Sequence, residues 1–196
     1  MVADWVADRD FYNRSLGASA AWSRLGAAKL PYVIYLITFA CYGAHLHGDE
    51  SGSVDRAHNL PGGRMLGAEP TRLAAEAHLM TQPIYAMDQP RREVVLASIV
   101  ERCTKRGWGL LAAHVRENHV HIVAAADVAP ERVMNDLKSY ASRLLNLKGL
   151  DAPERKRWAR HGSTRWLHNR DSVTAAIRYV VQKQGEAMAV FVADDL

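Results

Sequence analysis

Two residues, Glu117-Asn118, separate a pair of runs that read as the arms of one β-hairpin: Gly109-Leu-Leu-Ala-Ala-His-Val-Arg116 before the turn and His119 to Ala126 after it. Successive side chains of a strand point to opposite faces. His119 and His121 therefore share one face of the returning strand, while Val120, Ile122 and Ala124 take the other. Two imidazoles side by side on a rigid hairpin can hold one divalent cation and leave its remaining positions open. An isolated His-x-His is as readily a pair of surface histidines, so the rest of the chain must decide between the two.

The 196 residues fit one domain with extensions. We expect an appended arm over 1–30, with a short helix around Ala18 to Lys29, and a single functional domain over 31–196. The domain opens with a strand, Val33 to Cys41, followed by a loop rich in Gly, Ser, Asp and Asn from Gly48 to Gly67. A short strand is expected at Pro83 to Met87. Val94, Val95, Ile99 and Val100 recur at helical spacing within Arg91 to Lys105, and Gly107 closes that helix. After the hairpin, Pro130 opens a helix over Glu131 to Leu147, with Val133, Met134, Leu137, Ala141, Leu144 and Leu145 on one side. A basic linker, Lys148 to Arg170, precedes a third helix capped by Asp171 or Ser172, whose buried stripe is Val173, Ala176, Ile177, Val180 and Val181. Ala187 to Val192 reads as a last strand. This order is that of an α+β protein, a ferredoxin-like sandwich with helices packed on one face of an antiparallel sheet.

A mild basic excess, net +4, favours a polyanionic partner. Cys41 and Cys103 are far apart and stand in no metal-ligand spacing, which fits a reducing compartment and no disulfide framework. The most apolar run, Tyr32 to Ala44, is too short for a membrane span, and the first ten residues lack the pattern of a signal peptide. A cytoplasmic protein with no membrane partner is expected.

Candidate partners for the two histidines lie on the third helix. Tyr179 falls off its apolar stripe, on the side of Gln182 and Lys183, and an amide oxygen from Gln182 or Gln184 is a hard donor that can complete a metal site. Tyr140, on the preceding helix with Lys138 and Arg143, is the rival phenol. A second His-x-His, His45 and His47, ends the first strand and has no helix partner. His114, on the strand before the turn, is placed to be a neighbouring hydrogen-bond partner.

Four stretches together resemble the HUH superfamily of single-strand DNA nucleases, and within it the single-tyrosine transposases of insertion sequences and their REP-associated relatives. They are Val115-Arg-Glu-Asn-His-Val-His-Ile-Val123, Leu137-Lys-Ser-Tyr-Ala-Ser-Arg143, Arg160-His-Gly-Ser-Thr-Arg-Trp-Leu167 and Ala176-Ile-Arg-Tyr-Val-Val-Gln-Lys-Gln184. The resemblance covers roughly residues 31–186 and leaves the arm unmatched. It implies that His119 and His121 hold Mg²⁺ or Mn²⁺, with Gln182 or Gln184 as further ligand. It also implies that Tyr179 is the nucleophile, cutting single-stranded DNA through a covalent 5′-phosphotyrosine and freeing a 3′-hydroxyl. Members of the family usually place the third ligand four residues after the tyrosine; here that position is Lys183, between the two glutamines.

The basic stretch is interleaved with Trp158 and Trp166, a composition suited to neutralising phosphates and stacking unpaired bases. Nucleic-acid contacts are expected at Arg116, Asn118, Lys138, Arg143 and Arg165. The resemblance implies hairpin-bearing single-stranded DNA bound by a homodimer. The alternative, motivated by the altered glutamine spacing, is a domesticated, non-cleaving protein of the same fold that binds a DNA or RNA hairpin.

Overall fold

The computed structural model describes residues 32–44 and 69–194. The arm over 1–30, the helix expected at Ala18 to Lys29, the pair His45 and His47 and the loop from Gly48 to Gly67 lie outside the described residues. The element order is β1 (Val33–Ala40), α1 (Pro70–His78), α2 (Gln89–Arg106), β2 (Gly109–Val115), β3 (His119–Ala126), α3 (Pro130–Leu147), β4 (Ser163–Leu167), α4 (Arg170–Gln182) and β5 (Ala189–Val192).

The strands form one antiparallel sheet in the order β4-β1-β3-β2-β5. Strands β1 to β4, with α2 and α3 between them, make the split β-α-β-β-α-β arrangement of a ferredoxin-like sandwich, as the sequence predicts. Period-two alternation decides which helix meets which face. Tyr35, Ile37 and Phe39 of β1 and Val120, Ile122 and Ala124 of β3 pack against α2 and α3 through Val95, Ile99, Leu137 and Leu145. On the other side, Ala112 and Val123 meet Val173, Ala176 and Val180 of α4. The expected layer of helices on one face is thus α2 and α3, and α4 lies across the opposite face, where His119 and His121 point.

Local chemistry accounts for the helix ends. Asp88 caps α2 by accepting from the Arg91 amide, and Gly107 ends it in a left-handed turn. The cap of α4 is Asn169, two or three residues earlier than the sequence suggests, because Asn169 and Ser172 form a reciprocal capping box. Three expectations change. Pro83 to Met87 is not a strand: Tyr85 and Met87 donate their amides to the Tyr42 and Glu117 carbonyls without a continuous ladder. Helix α1 was not foreseen, and β4 lies inside the stretch expected to be linker.

The loop that leads into β4 is held by a buried ion pair. Asp151 takes Arg157 at 2.9 Å and Arg91 at 3.0 Å, and the Tyr85 hydroxyl donates to it at 2.6 Å. The chain then runs through Gly162, where a side chain would press into the Thr38 carbonyl at 2.4 Å. Only glycine lets β4 approach β1 this closely.

Candidate functional site

The β1–β3 register sets Thr38 opposite His121 and Ala40 opposite His119, and the β2–β3 register sets His114 opposite His121. One sheet face thus carries Thr38, His114, His119 and His121, with the C-terminal end of α4 above them. The His119 and His121 rings meet edge to face with centroids 4.7 Å apart. The Tyr179 ring stands 5.4 Å from that of His121, in the same chain. Tyr179 is 43% exposed. The structure therefore brings Tyr179 to the histidines. It puts Tyr140 on the far side of the sheet, buried against α2, with its hydroxyl bonded by Lys105.

The two candidate glutamines part company at the end of α4. Gln182 lines a groove on the other flank of the helix with Ile177, Arg178 and Val181, so it is no partner of the histidines. Gln184 reaches them: its Oε1 lies 3.0 Å from His121 Nε2 and its Nε2 donates to the Tyr179 carbonyl at 3.3 Å. The reason is a change of chain direction. The helix ends at Gln182, and Gly185 takes φ 76°, a left-handed conformation that turns the chain back over the sheet. Spacing four residues after the tyrosine selects Lys183 on paper; the turn selects Gln184 in space.

Hydrogen bonds fix the state of each imidazole. The amide nitrogen of Gln184 is committed to Tyr179, so Oε1 faces His121 and Nε2 of that ring donates to it. His121 Nδ1 then accepts from the Thr38 hydroxyl at 2.7 Å. For Nε2 to ligate a cation the proton must move to Nδ1, and the Thr38 oxygen can accept it there. A hydroxyl serves both tautomers. Asn118 Oδ1 takes the Nδ1 proton of His119 at 2.6 Å, which leaves the lone pair on Nε2. Asn118, expected at the nucleic acid, thus orients a candidate ligand. Burial, and next the charge of His119, lower the His121 pKa to about 4, so the ring stays neutral and fit for coordination at physiological pH.

Among the described residues no group of three His, Cys, Asp or Glu side chains could hold a metal. A cation here needs the amide oxygen of Gln184 beside the two imidazoles. Two borderline nitrogens and one hard oxygen, with positions left for water and phosphate oxygens, suit Mg²⁺ or Mn²⁺. The residues present fit the group.

Much of the expected nucleic-acid face is occupied otherwise. Lys138 is only 6% exposed; its ammonium donates to the Ala159 and His161 carbonyls and lies over the Phe39 ring, so it cannot meet a phosphate. Arg116 donates to the Glu186 carbonyl at 2.9 Å, holding the turn that carries Gln184. Arg143 is exposed, but on α3, across the sheet from the histidines. Arg157 is buried on Asp151, Arg155 serves the Gln82, Pro83 and Ile84 oxygens, and the Trp158 indole donates to Lys138 and Ser142. Arg165 is exposed on β4, paired with Leu36 and so on the same face as Thr38 and His121. Trp166, 55% exposed, stands on the opposite face against Tyr35.

The model of the IS200-like transposase family matches residues 74–182, from α1 to the last residue of α4. No curated protein matches the chain. Among solved structures, a REP-associated tyrosine transposase bound to a REP hairpin is similar at 11% identity and a TM-score of 0.44, over 77% of this chain. The chain spans 66% of the length of that protein.

Proposed function

The chain belongs to the IS200-like transposase family, and on that premise we propose that it is a metal-dependent single-strand DNA transposase or nickase that cuts and rejoins DNA through a 5′-phosphotyrosine on Tyr179. The observation that carries this reading is the convergence of Tyr179, His121 and Gln184 in one chain, with the glutamine oxygen 3.0 Å from the imidazole nitrogen.

His119, His121 and Gln184 are the groups that hold Mg²⁺ or Mn²⁺. When bound, the cation polarises the scissile phosphate and offsets charge that builds on its oxygens. The Tyr179 oxygen attacks phosphorus as the bond to the 3′ oxygen breaks; the phenol proton is lost to solvent and the leaving oxygen gains one, as a 3′-hydroxyl. The phosphodiester is exchanged rather than hydrolysed, so a second 3′-hydroxyl can reverse the step without a nucleotide cofactor. Arg165 neutralises strand phosphates beside the site. The substrate is a single strand bearing a hairpin, and the protein works as a homodimer. Tyr179 lies against His121 of its own chain, so the dimer need not exchange α4 to complete a site.

The non-cleaving alternative is motivated by the altered glutamine spacing; Gln184, 3.0 Å from His121, supports the cleaving reading over it. The deciding experiment incubates the full chain with hairpin-bearing single strands and Mn²⁺ and looks for a protein–DNA adduct. Adduct with the native chain and none with Tyr179→Phe supports the reading. Absence of adduct with the native chain, or its persistence in the variant, overturns it.

A further inference from the structure

His114 is the most deeply buried titratable side chain near the site, 0% exposed, and the reaction above does not use it. Both its ring nitrogens are engaged. Nδ1 lies 3.0 Å from the Val180 carbonyl in the last turn of α4, and Nε2 accepts the Met188 amide at 3.2 Å, just before β5. A carbonyl can only accept and an amide N–H can only donate, so the ring is a neutral imidazole with its proton on Nδ1. One flat ring therefore ties together the two ends of the segment from Val181 to Ala187. Arg116, just past the end of β2, holds the far part of that segment through the Glu186 carbonyl at 2.9 Å. Gln184 is the residue this segment presents to His121.

We infer that His114 is a positioning residue: by bracketing the turn between α4 and β5 it sets the Gln184 amide oxygen at the metal-facing nitrogen of His121, and Arg116 assists. Three facts combine. Helix α4 ends with carbonyls that need donors, and Val180 is among them. The turn passes through a left-handed Gly185 and makes no helix or strand of its own. The donor and the acceptor that hold it come from a single ring on the central part of the sheet, in register with His121 itself. His114 has no place at the scissile phosphate; it acts through Gln184.

This inference rests on the reading of His119, His121 and Gln184 as metal ligands, and the test separates the two. Mn²⁺ binding to the full chain is measured by calorimetry, without DNA, in the native chain and in Gln184→Ala, His114→Phe and the double variant. Orienting groups of this kind typically change affinity about 10- to 100-fold. The expected result is a weakening of that order for Gln184→Ala and for His114→Phe, with His114→Phe adding less than about twofold once Gln184 is gone. A purely structural role for His114 would weaken binding equally in both backgrounds, and that result overturns the inference, as does no weakening at all. No Mn²⁺ binding by the native chain, or none lost in Gln184→Ala, overturns the ligand reading and the inference with it. Should His114→Phe fail to fold, His114→Gln, which keeps a polar group at the ring edge, passes through the same cycle with the same deciding results.

Discussion

Thr38 supports His121 from behind: its hydroxyl oxygen lies 2.7 Å from the ring's Nδ1, across the β1–β3 ladder where the two residues are register partners. The hydroxyl accepts or donates as the imidazole requires, so it can follow the ring from the hydrogen-bonded to the ligating tautomer. Thr38→Val keeps shape and strand propensity and removes this capacity. We expect Mn²⁺ affinity to fall about 10- to 100-fold, with Thr38→Ser near the native value. Equal affinity of the valine and serine variants in calorimetry would remove Thr38 from the site.

The buried state of His121 gives stability a defined pH dependence. Its pKa is about 4 in the folded chain and about 6.5 unfolded. Between those values the unfolded chain binds the extra proton, so stability is fully present above about pH 6.5 and is lost as pH falls through 4. The full difference is roughly 3 kcal/mol. Urea midpoints of the metal-free protein at pH 7, 5.5 and 4 should fall accordingly, and His121→Asn should flatten the fall. A native and a variant curve of the same slope would place the titrating group elsewhere.

Lys138 and Arg165 were equal candidates for phosphate contact, and burial separates them. Lys138→Met should leave both the affinity for a hairpin-bearing single strand and its salt dependence unchanged. Arg165→Ala should weaken binding and reduce the slope of log affinity against log salt by about 1. Fluorescence anisotropy across a series of salt concentrations reads both. A lowered slope for Lys138→Met would mean that its ammonium leaves the Ala159 and His161 carbonyls to meet the strand.

The contrast between these residues shows what a linear pattern carries. The hairpin was legible because alternation of side chains over Gly109 to Ala126 has one reading, and helical spacing marked α2, α3 and α4. Tyr179 stood out as a phenol off an apolar stripe. Thr38 was invisible, since its partner His121 is 83 positions away and one threonine in a strand signals nothing. Choosing between Gln182 and Gln184 needed the path of the chain beyond α4, which one left-handed glycine decides. Strand β4 was hidden because it is an edge strand with mostly exposed side chains, so its apolar alternation is faint. Arg155 and Arg157 looked like a phosphate-binding run because charge in sequence does not reveal whether an anion such as Asp151 waits inside the fold.

That last pair yields the remaining prediction. The Asp151 and Arg157 side chains are 6% and 3% exposed, and Arg157 also donates to Asn146 and the Ala152 carbonyl. Burial pushes the Asp151 pKa up, but the hydrogen bonds from Tyr85, Arg157 and Arg91, with the charge of Arg91, together outweigh it and hold it below the usual carboxylate range. Asp151→Asn keeps the shape but leaves the Arg157 guanidinium buried without a counter-charge. Breaking one side of such a pair costs about 3–5 kcal/mol. The site itself lies on the other face of the sheet, so the variant should unfold at lower urea while binding Mn²⁺ as the native chain does below its own transition. Replacing both partners with apolar residues, Asp151→Leu with Arg157→Met, should recover much of the loss. A single variant as stable as the native protein would show that water, not Asp151, compensates the guanidinium. A single variant that loses Mn²⁺ binding while still folded would show that the loop held by this ion pair acts through Gly162 on Thr38 and the histidines.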